Sequence, residues 1–112
     1  MKKSEANEQI AVIDYCELRN YPILAIPNGG SRNQLEAANL KRQGVKSGVP
    51  DLCVPVAKHN YHGMYIEMKV GKNKPTENQI KWLRMLKENG YFVCVCYGFD
   101  EAAKALDWYF KK

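Results

Sequence analysis

The sequence predicts an α/β domain in which a central mixed β-sheet is flanked by helices. Its 112 residues suffice for one modest hydrophobic core but not for two. Apolar runs of strand length alternate with stretches of helical periodicity, and turn-forming residues separate them. The elements follow the order αβαββαβα, which we interpret as a single domain covering residues 1–112.

The first predicted element is a helix over residues 4–19, with Glu5 and Glu8 in its first turns, where acids are favoured. Its apolar residues at roughly helical spacing are Ile10, Ile13 and Leu18, with Val12 and Cys16 flanking them. Pro22 prevents any continuation, because proline has no amide proton and disfavours a helical conformation in the residue before it.

The next elements are a short strand, a helix and a β-hairpin. The strand covers residues 23–26, and the second helix runs over 33–43 and stops at Gly44. Apolar strands over 51–56 and 64–70 follow, and the short loop between them indicates that they pair as a hairpin.

The last three elements are a helix, a strand and a helix. Thr76-Glu77-Asn78-Gln79 has the spacing of a capping box that starts the third helix, and Asn89-Gly90 ends it. The apolar strand over residues 91–97 is predicted to be buried on both faces. Asp100 is expected to cap the last helix.

The cysteines and the first residues indicate a reduced compartment. Four cysteines lie inside apolar stretches and form no C-x-x-C pair, which suits core thiols better than disulfides; they are Cys16, Cys53, Cys94 and Cys96. Met1-Lys2-Lys3 leads into a polar stretch over residues 4–7 rather than into a signal-peptide core, and the apolar runs are too short to span a membrane. We expect a cytoplasmic protein without membrane contact.

Positive charge is concentrated in the middle of the chain. The net charge is +5, but residues 28–87 carry eleven Lys or Arg against four acids, an excess of +7, whereas the remainder carries six against eight, or −2. A polyanion such as DNA or RNA would be attracted to the middle. A solvated lysine-rich surface is the alternative interpretation.

The second hairpin strand carries charged residues on one face. Side chains at i and i+2 share a face, so Glu67 and Lys69 project together with Tyr65, while the apolar residues between them enter the core. An unpaired charge in a buried strand is costly. Asp51 starts the neighbouring strand after Gly-Val-Pro, and the hairpin can bring it beside Glu67.

Two converging carboxylates repel unless a divalent cation neutralises them. Mg²⁺ suits Asp51 and Glu67, because it prefers hard oxygen ligands and commonly takes one or two carboxylates plus substrate phosphate oxygens. The carbonyl of Met68 is a further candidate ligand. Lys69 would then orient the attacking water or stabilise negative charge on the phosphate.

Two other interpretations of these residues stay open. Glu67 and Lys69 can form an ordinary cross-strand ion pair, with Asp51 only a turn residue, since E-x-K alone is common. His59 and His62 form an H-x-x-H spacing that can bind zinc, although histidines in a hairpin loop are usually structural or solvated.

Longer motifs add a family resemblance. Pro50-Asp51 followed by Glu67-Met68-Lys69 resembles the PD-(D/E)xK nuclease superfamily, whose core is restriction-endonuclease-like. The wider context is similar to its VRR-NUC branch, in particular to stand-alone phage and prophage members. The other matching stretches are Ile26-Pro27-Asn28-Gly29-Gly30, the run from Gly44 to Leu52, Tyr65-Ile66, Thr76-Glu77-Asn78-Gln79 and Gly90-Tyr91.

The resemblance implies roles for the motif residues. Asp51 and Glu67 would bind Mg²⁺ or Mn²⁺, and Lys69 would act in phosphodiester hydrolysis. An acid on the first helix often completes such a site, and Glu8 matches best, as a metal ligand and catalytic residue, with Glu5 a weaker candidate. For Glu8 the alternative is a solvated carboxylate favoured by the helix dipole.

Supporting residues are weaker predictions. Gln79 is typical of the family near the active site, yet its capping-box position would explain it without any catalytic role. Five loop residues around the motif strands are candidates for holding the DNA backbone, namely Asn28, Arg32, Lys46, Lys72 and Lys74; taken singly, such a residue is more often an ordinary surface residue.

The leading hypothesis is a metal-dependent DNA endonuclease, acting on branched, Holliday-junction-like DNA. The alternatives are a catalytically silent nucleic-acid-binding module with the same fold and a small protein-interaction domain. A homodimer is expected, because a symmetric junction presents two equivalent phosphates. Consecutive Trp108, Tyr109 and Phe110 cannot all enter the core, so at least one should be exposed, at an interface or over the domain's own rim.

Overall fold

The computed structural model describes residues 3–27 and 33–112 and contains the predicted elements in the predicted order. They are α1 (Glu5–Arg19), β1 (Leu24–Ala25), α2 (Gln34–Arg42), β2 (Leu52–Val54), β3 (Met64–Lys69), α3 (Glu77–Glu88), β4 (Phe92–Tyr97) and α4 (Phe99–Phe110). β2 is shorter than predicted, and it ends before Pro55, which has no amide proton to donate to a neighbouring strand. No helix in the described ranges is long and apolar enough to cross a membrane.

The four strands form one mixed sheet in the order β1-β2-β3-β4. β1 pairs with β2, and β2 with β3, in antiparallel register, whereas β3 and β4 run parallel. The parallel pair is connected through α3, as a parallel connection requires. This arrangement confirms the predicted α/β class, the hairpin and the mixed sheet.

The hydrophobic core lies between one face of the sheet and the helices α1 and α4. Met64, Ile66 and Met68 of β3 are completely buried there, as their alternation predicted. α4 adds Leu106 and Tyr109 to the same cluster. Because these apolar residues face the core, Glu67 and Lys69 project from the opposite face of β3.

The face of α1 that enters the core differs from the predicted one. Val12 and Cys16, one helical turn apart, are fully buried, while Ile10 is 58% and Leu18 85% exposed. The spacing from Ile13 to Leu18 is five residues, which turns Leu18 about 140° around the helix. The apolar residues Ile10, Ile13 and Leu18 therefore do not lie on one face of α1. Val12 and Cys16 form the contact of α1 with the core instead.

Two further predictions about the last elements were wrong. α4 begins at Phe99, with Gly98 as its N-cap residue and no side-chain cap of its own, so Asp100 lies inside the first turn. β4 is an edge strand, and of its residues only Cys96 is buried. An edge strand has no neighbouring strand on its outer side, so solvent reaches β4 from that side and most of its residues are only partly buried.

The cysteines agree with the prediction of unpaired thiols. All four are free; Cys16 and Cys96 are buried and Cys53 and Cys94 are partly buried. Burial raises the pKa of the Cys16 thiol to about 11, which keeps it protonated and unreactive at neutral pH.

Candidate active site

The antiparallel register of β2 and β3 brings Asp51 and Glu67 together. Leu52 pairs with Ile66, so one step further along the hairpin Asp51 faces Glu67. Residues opposite each other in an antiparallel pair project from the same face of the sheet. Both carboxylates therefore lie on the face of β3 that also carries Lys69.

Asp51 is held by its neighbours on both sides. Its Oδ2 accepts a hydrogen bond of 2.8 Å from the backbone N–H of Met68, and its carbonyl oxygen accepts one of 2.8 Å from the N–H of Ile26. The preceding Pro50 is buried. The Asp51 carboxylate thus has a fixed position, in which one of its oxygens is hydrogen-bonded to the backbone of β3.

Glu67 is buried with an incomplete set of partners. It is 2% exposed, its Oε2 lies 3.7 Å from Nζ of Lys69, and its Oε1 is buried without a hydrogen-bond partner. Burial and then the nearby Asp51 carboxylate raise the pKa of Glu67 to about 8, an effect that Lys69 partly offsets. A buried oxygen without a partner beside a second carboxylate is a position that a cation would stabilise.

Lys69 is enclosed together with Glu67. It is 7% exposed, and its parallel partner on β4 is Tyr97, whose hydroxyl donates a 2.7 Å hydrogen bond to the carbonyl of Asn73. The ammonium group thus lies in an enclosed position beside Glu67, near the end of β3.

The two acids of the first helix take different positions. Oε1 of Glu8 accepts a 2.9 Å hydrogen bond from the N–H of Phe99, so this side chain caps α4, whose own cap residue is a glycine. Glu5 is the first-helix acid whose charge acts on Glu67 and contributes to raising its pKa. Oε2 of Glu5 lies 3.4 Å from Nδ2 of Asn73 in the loop after β3. One turn of α1 therefore separates a carboxylate that caps α4 from one that contacts this loop.

A divalent cation fits the donors at this site. Two carboxylates converge, one of them with a free buried oxygen, and this is the number of protein carboxylates that Mg²⁺ commonly takes. No three His, Cys, Asp or Glu side chains within residues 3–27 and 33–112 form a group that could hold a metal. Glu8, Asp51 and Glu67 thus do not converge as one such group in this structure.

Comparison with known proteins identifies the family. The family model of the VRR-NUC domain matches residues 3–100. The chain belongs to the VRR-NUC domain family. A solved structure described as a VRR_NUC domain protein superimposes with a TM-score of 0.83 at 31% sequence identity, covering 98% of this chain and 90% of that chain, so the fold is that of the family. No curated protein sequence matches this chain.

The supporting residues of this VRR-NUC domain are placed as follows. Thr76 and Gln79 form the predicted capping box, in which Oε1 of Gln79 accepts a 2.9 Å hydrogen bond from the N–H of Thr76. This hydrogen bond explains the presence of Gln79 at this position without any catalytic role. Lys46, Lys72 and Lys74 are exposed, as a contact with a phosphate backbone requires. The predictions for Asn28 and Arg32 lie outside the described residues.

The histidines of the hairpin loop have structural contacts in this VRR-NUC domain. Nε2 of His59 lies 2.9 Å from the carbonyl oxygen of Tyr109, and its ring stacks on Trp108. His62 packs against Tyr91 and Gly90. These contacts join the hairpin to α4 and to the start of β4.

Two residues lie near the acids although the sequence predicted the first only as a weaker candidate and the second not at all; they are Glu5 and Tyr97. The i to i+3 spacing of Glu5 and Glu8 showed that both lie on one face of α1, but only the packing of α1 on β3 and α4 separates their targets. Tyr97 could have been found by pairing β3 with β4, since it is the register partner of Lys69.

The raised pKa of Glu67 predicts a pH-dependent stability of the metal-free protein. Its folded pKa is about 8 and its ordinary value 4.5, so between these values the folded state holds a proton that the unfolded state has lost. The contribution of this group to stability is complete below about pH 4.5 and falls as pH rises towards about 8. Glutamine is neutral at every pH, so Glu67→Gln should lose this pH dependence and should be more stable than the wild type above pH 8, where the buried Glu67 carboxylate is ionised.

Thermal unfolding in EDTA at several pH values between 5 and 9 would measure this difference. Glu88→Gln, at an exposed position on α3, is the matched control and should follow the wild type. Parallel curves for wild type and Glu67→Gln would show that Glu67 has no raised pKa.

A close contact of Gly48 predicts a second, larger effect. Gly48 has a φ of +90°, and a Cβ there would lie 2.8 Å from the backbone carbon and Cβ of Asn78. Gly44 has a similar φ of +102° but open space around it. Gly44→Ala should therefore cost only the backbone strain, about 1–2 kcal/mol, whereas Gly48→Ala should cost more and displace the segment leading to Asp51.

Urea unfolding combined with a cleavage assay would compare the two variants. We expect Gly48→Ala to lose most of the activity and Gly44→Ala to retain it. Equal effects of both substitutions on both measurements would mean that contact with α3 does not position Asp51.

Proposed function

We propose that this VRR-NUC domain is a metal-dependent endonuclease that hydrolyses phosphodiester bonds of DNA. The observation that carries the proposal is buried Glu67, which faces Asp51, contacts Lys69 and keeps one oxygen without a hydrogen-bond partner. A structural ion pair would leave no reason for a second carboxylate and an unpaired oxygen at the same place. Membership of a nuclease-like family supports the same conclusion.

Asp51 and Glu67 would hold Mg²⁺ or Mn²⁺ with the carbonyl of Met68 as a further ligand. When bound, the cation supplies Lewis-acid polarisation of the phosphate and activation of water. Asp51 can keep its orientation during this, because the N–H of Met68 fixes its other oxygen. Glu67 must lose its proton to bind a cation, so binding releases a proton where its pKa is near 8.

Lys69 would stabilise the negative charge that develops on the phosphate. Its ammonium group is enclosed and is held 3.7 Å from Glu67, so it needs little reorganisation when the charge forms. Preorganised charges in a water-poor site are more effective than exposed ones. As the third acid and fourth member of the site we propose Glu8, which also caps α4. Glu5, whose charge acts on Glu67, is the alternative.

The basic middle of the chain would hold the DNA backbone. Lys72 and Lys74 lie in the loop that follows β3 and its Lys69, and Lys46 precedes Asp51 by five positions. Together with Asn28 and Arg32 they are the proposed phosphate contacts. Such contacts set affinity and position rather than sequence preference.

Salt dependence tests this interface. We expect log K for duplex DNA to fall by about 0.9 per phosphate contact for each tenfold rise in salt, and the double variant Lys72→Ala/Lys74→Ala to show a smaller slope. Fluorescence anisotropy in EDTA would measure it. The control is Lys111→Ala/Lys112→Ala, which removes the same charge at the C-terminal end of the sequence and should leave the slope unchanged. An affinity for DNA that does not depend on salt would contradict the electrostatic interface.

The finer form of the proposal is a two-fold dimer that cuts two strands of branched DNA. One site per domain and two equivalent phosphates per junction support it. The aromatic run of α4 gives it no further support, since Trp108 remains 45% exposed but stacks on His59 of the same domain. Sedimentation at micromolar concentration tests the dimer, and a monomer that makes paired symmetric cuts would refute it.

The function itself is tested by incubating the protein with linear, flap and four-way-junction DNA, with Mg²⁺, with Mn²⁺ and with EDTA. We expect internal cleavage that depends on the metal and is fastest on a branched substrate. Binding without cleavage under all metal conditions would identify a catalytically silent nucleic-acid-binding module instead.

A further inference from the structure

A pocket of about 590 Å³ lies between α2 and α3, apart from the carboxylate pair. Its walls are the inner side of α2, the loop that follows it and the side of α3 that carries Trp82. The volume falls within the range of pockets that take small organic ligands, about 300–1,000 Å³. None of the proposed metal ligands lines it.

The lining combines an aromatic surface with positive charge. Trp82 and Met85 supply apolar surface, and the lysines of the lining are Lys41, Lys46 and Lys81. None of the described residues that line the pocket is acidic. A flat apolar ligand that carries negative charge matches such a lining, and a nucleotide has both parts, a base that stacks on tryptophan and a phosphate that pairs with lysine.

The pocket is connected to the candidate active site through the chain itself. Nδ2 of Asn78 donates a 3.1 Å hydrogen bond to Oγ of Ser47, and Gly48 packs directly on Asn78, so the loop that forms one wall is fixed to the first turn of α3. From Ser47 the chain reaches Asp51 in four residues, a Cα distance of at most roughly 14 Å. One DNA strand can therefore occupy both places.

We propose that this pocket receives an unpaired nucleotide of the DNA substrate. The base stacks on Trp82, and the adjoining phosphates pair with Lys41, Lys46 and Lys81. A base inside a duplex cannot enter, because both of its faces are covered by its neighbours. This inference rests on the proposed function and specifies it: the enzyme selects DNA with a single-stranded segment next to the bond that is cut.

Binding measured in EDTA tests the pocket without any cleavage. In the background of Trp108→Phe, Trp82 is the remaining tryptophan of the two in the chain, and its fluorescence reports stacking. We expect a single-stranded oligothymidylate to quench this fluorescence and a blunt duplex of equal length to leave it nearly unchanged. A thymidine mononucleotide, at equal nucleotide concentration, should quench much less, because it lacks the adjoining phosphates.

Substitution of Trp82 gives the second readout. Trp82→Leu should weaken binding of the oligothymidylate and of flap DNA by roughly 5- to 100-fold, the loss expected for one base stack, with unchanged binding of blunt duplex. Trp82→Phe retains a ring and should restore most of the affinity. Trp108→Leu, the matched change at an exposed tryptophan on α4, should leave the discrimination between the two DNA forms intact, and thermal unfolding shows which variants are folded.

Three outcomes would overturn the inference. They are quenching by duplex as strong as by single strands, equal loss of affinity for both forms in Trp82→Leu, and quenching by the mononucleotide as strong as by the oligonucleotide, which would assign the pocket to a free nucleotide. Stacking without any metal-dependent cleavage would refute the proposed nuclease but not the pocket. Cleavage without stacking would refute the pocket but not the nuclease.

Discussion

Asp51→Asn should abolish metal-dependent cleavage of DNA while the protein stays folded. The amide keeps the size of the side chain and can still accept the hydrogen bond from Met68, but it removes the negative charge that a divalent cation requires. Glu67→Gln should have the same effect on cleavage for the same reason. Both variants should keep at least part of their affinity for DNA, because the proposed phosphate contacts lie elsewhere.

Cleavage of a fixed amount of flap or junction DNA in Mg²⁺, followed over several hours, would measure this loss. Asp14→Asn is the matched control, since Asp14 is exposed on α1, and it should cleave at the wild-type rate. Full activity in Asp51→Asn or in Glu67→Gln would exclude these carboxylates as ligands.

Lys69→Ala should reduce the rate of cleavage by about 10²-fold or more, the usual loss for one preorganised electrostatic contact. The ammonium group lies beside Glu67 in an enclosed position, where its charge is poorly screened. Because the stabilised charge develops in the transition state, kcat and kcat/KM should fall together, with little change in KM.

Steady-state kinetics with a fluorescent substrate would separate this role from a structural one. Lys72→Ala removes an exposed lysine three residues further on and should change mainly KM and the salt dependence. A wild-type kcat in Lys69→Ala would show that Lys69 has no catalytic role and is only an ion-pair partner of Glu67.

Much of the fold could be predicted because local patterns and packing agree. Alternation in β3 separated the core residues from Glu67 and Lys69, and the structure buries Met64, Ile66 and Met68 on the opposite face. The hairpin then placed Asp51 opposite Glu67, since its register depends on that same alternation. When apolar and polar residues alternate strictly in a buried strand, a shift of the register by one residue would bury the polar side chains, so one register is favoured.

The parts that were wrong depend on contacts distant in sequence. The buried face of α1 is set by its packing on β3 and α4, so that Val12 and Cys16 rather than Ile10 and Leu18 are enclosed. The cap of α4 comes from Glu8, 91 positions earlier, which no local rule could assign. The pocket beside Trp82 lies between α2 and α3, and neither helix shows this in its own periodicity.

The proposed metal site is tested most directly by the binding of Mn²⁺ to the purified protein, measured by calorimetry without DNA at pH 8. We expect at least one bound ion per chain, proton release on binding, and loss of that ion in Asp51→Asn but not in Asp14→Asn. Undiminished binding in Asp51→Asn, or no binding to the wild type at millimolar Mn²⁺, would contradict a metal site built on Asp51 and Glu67.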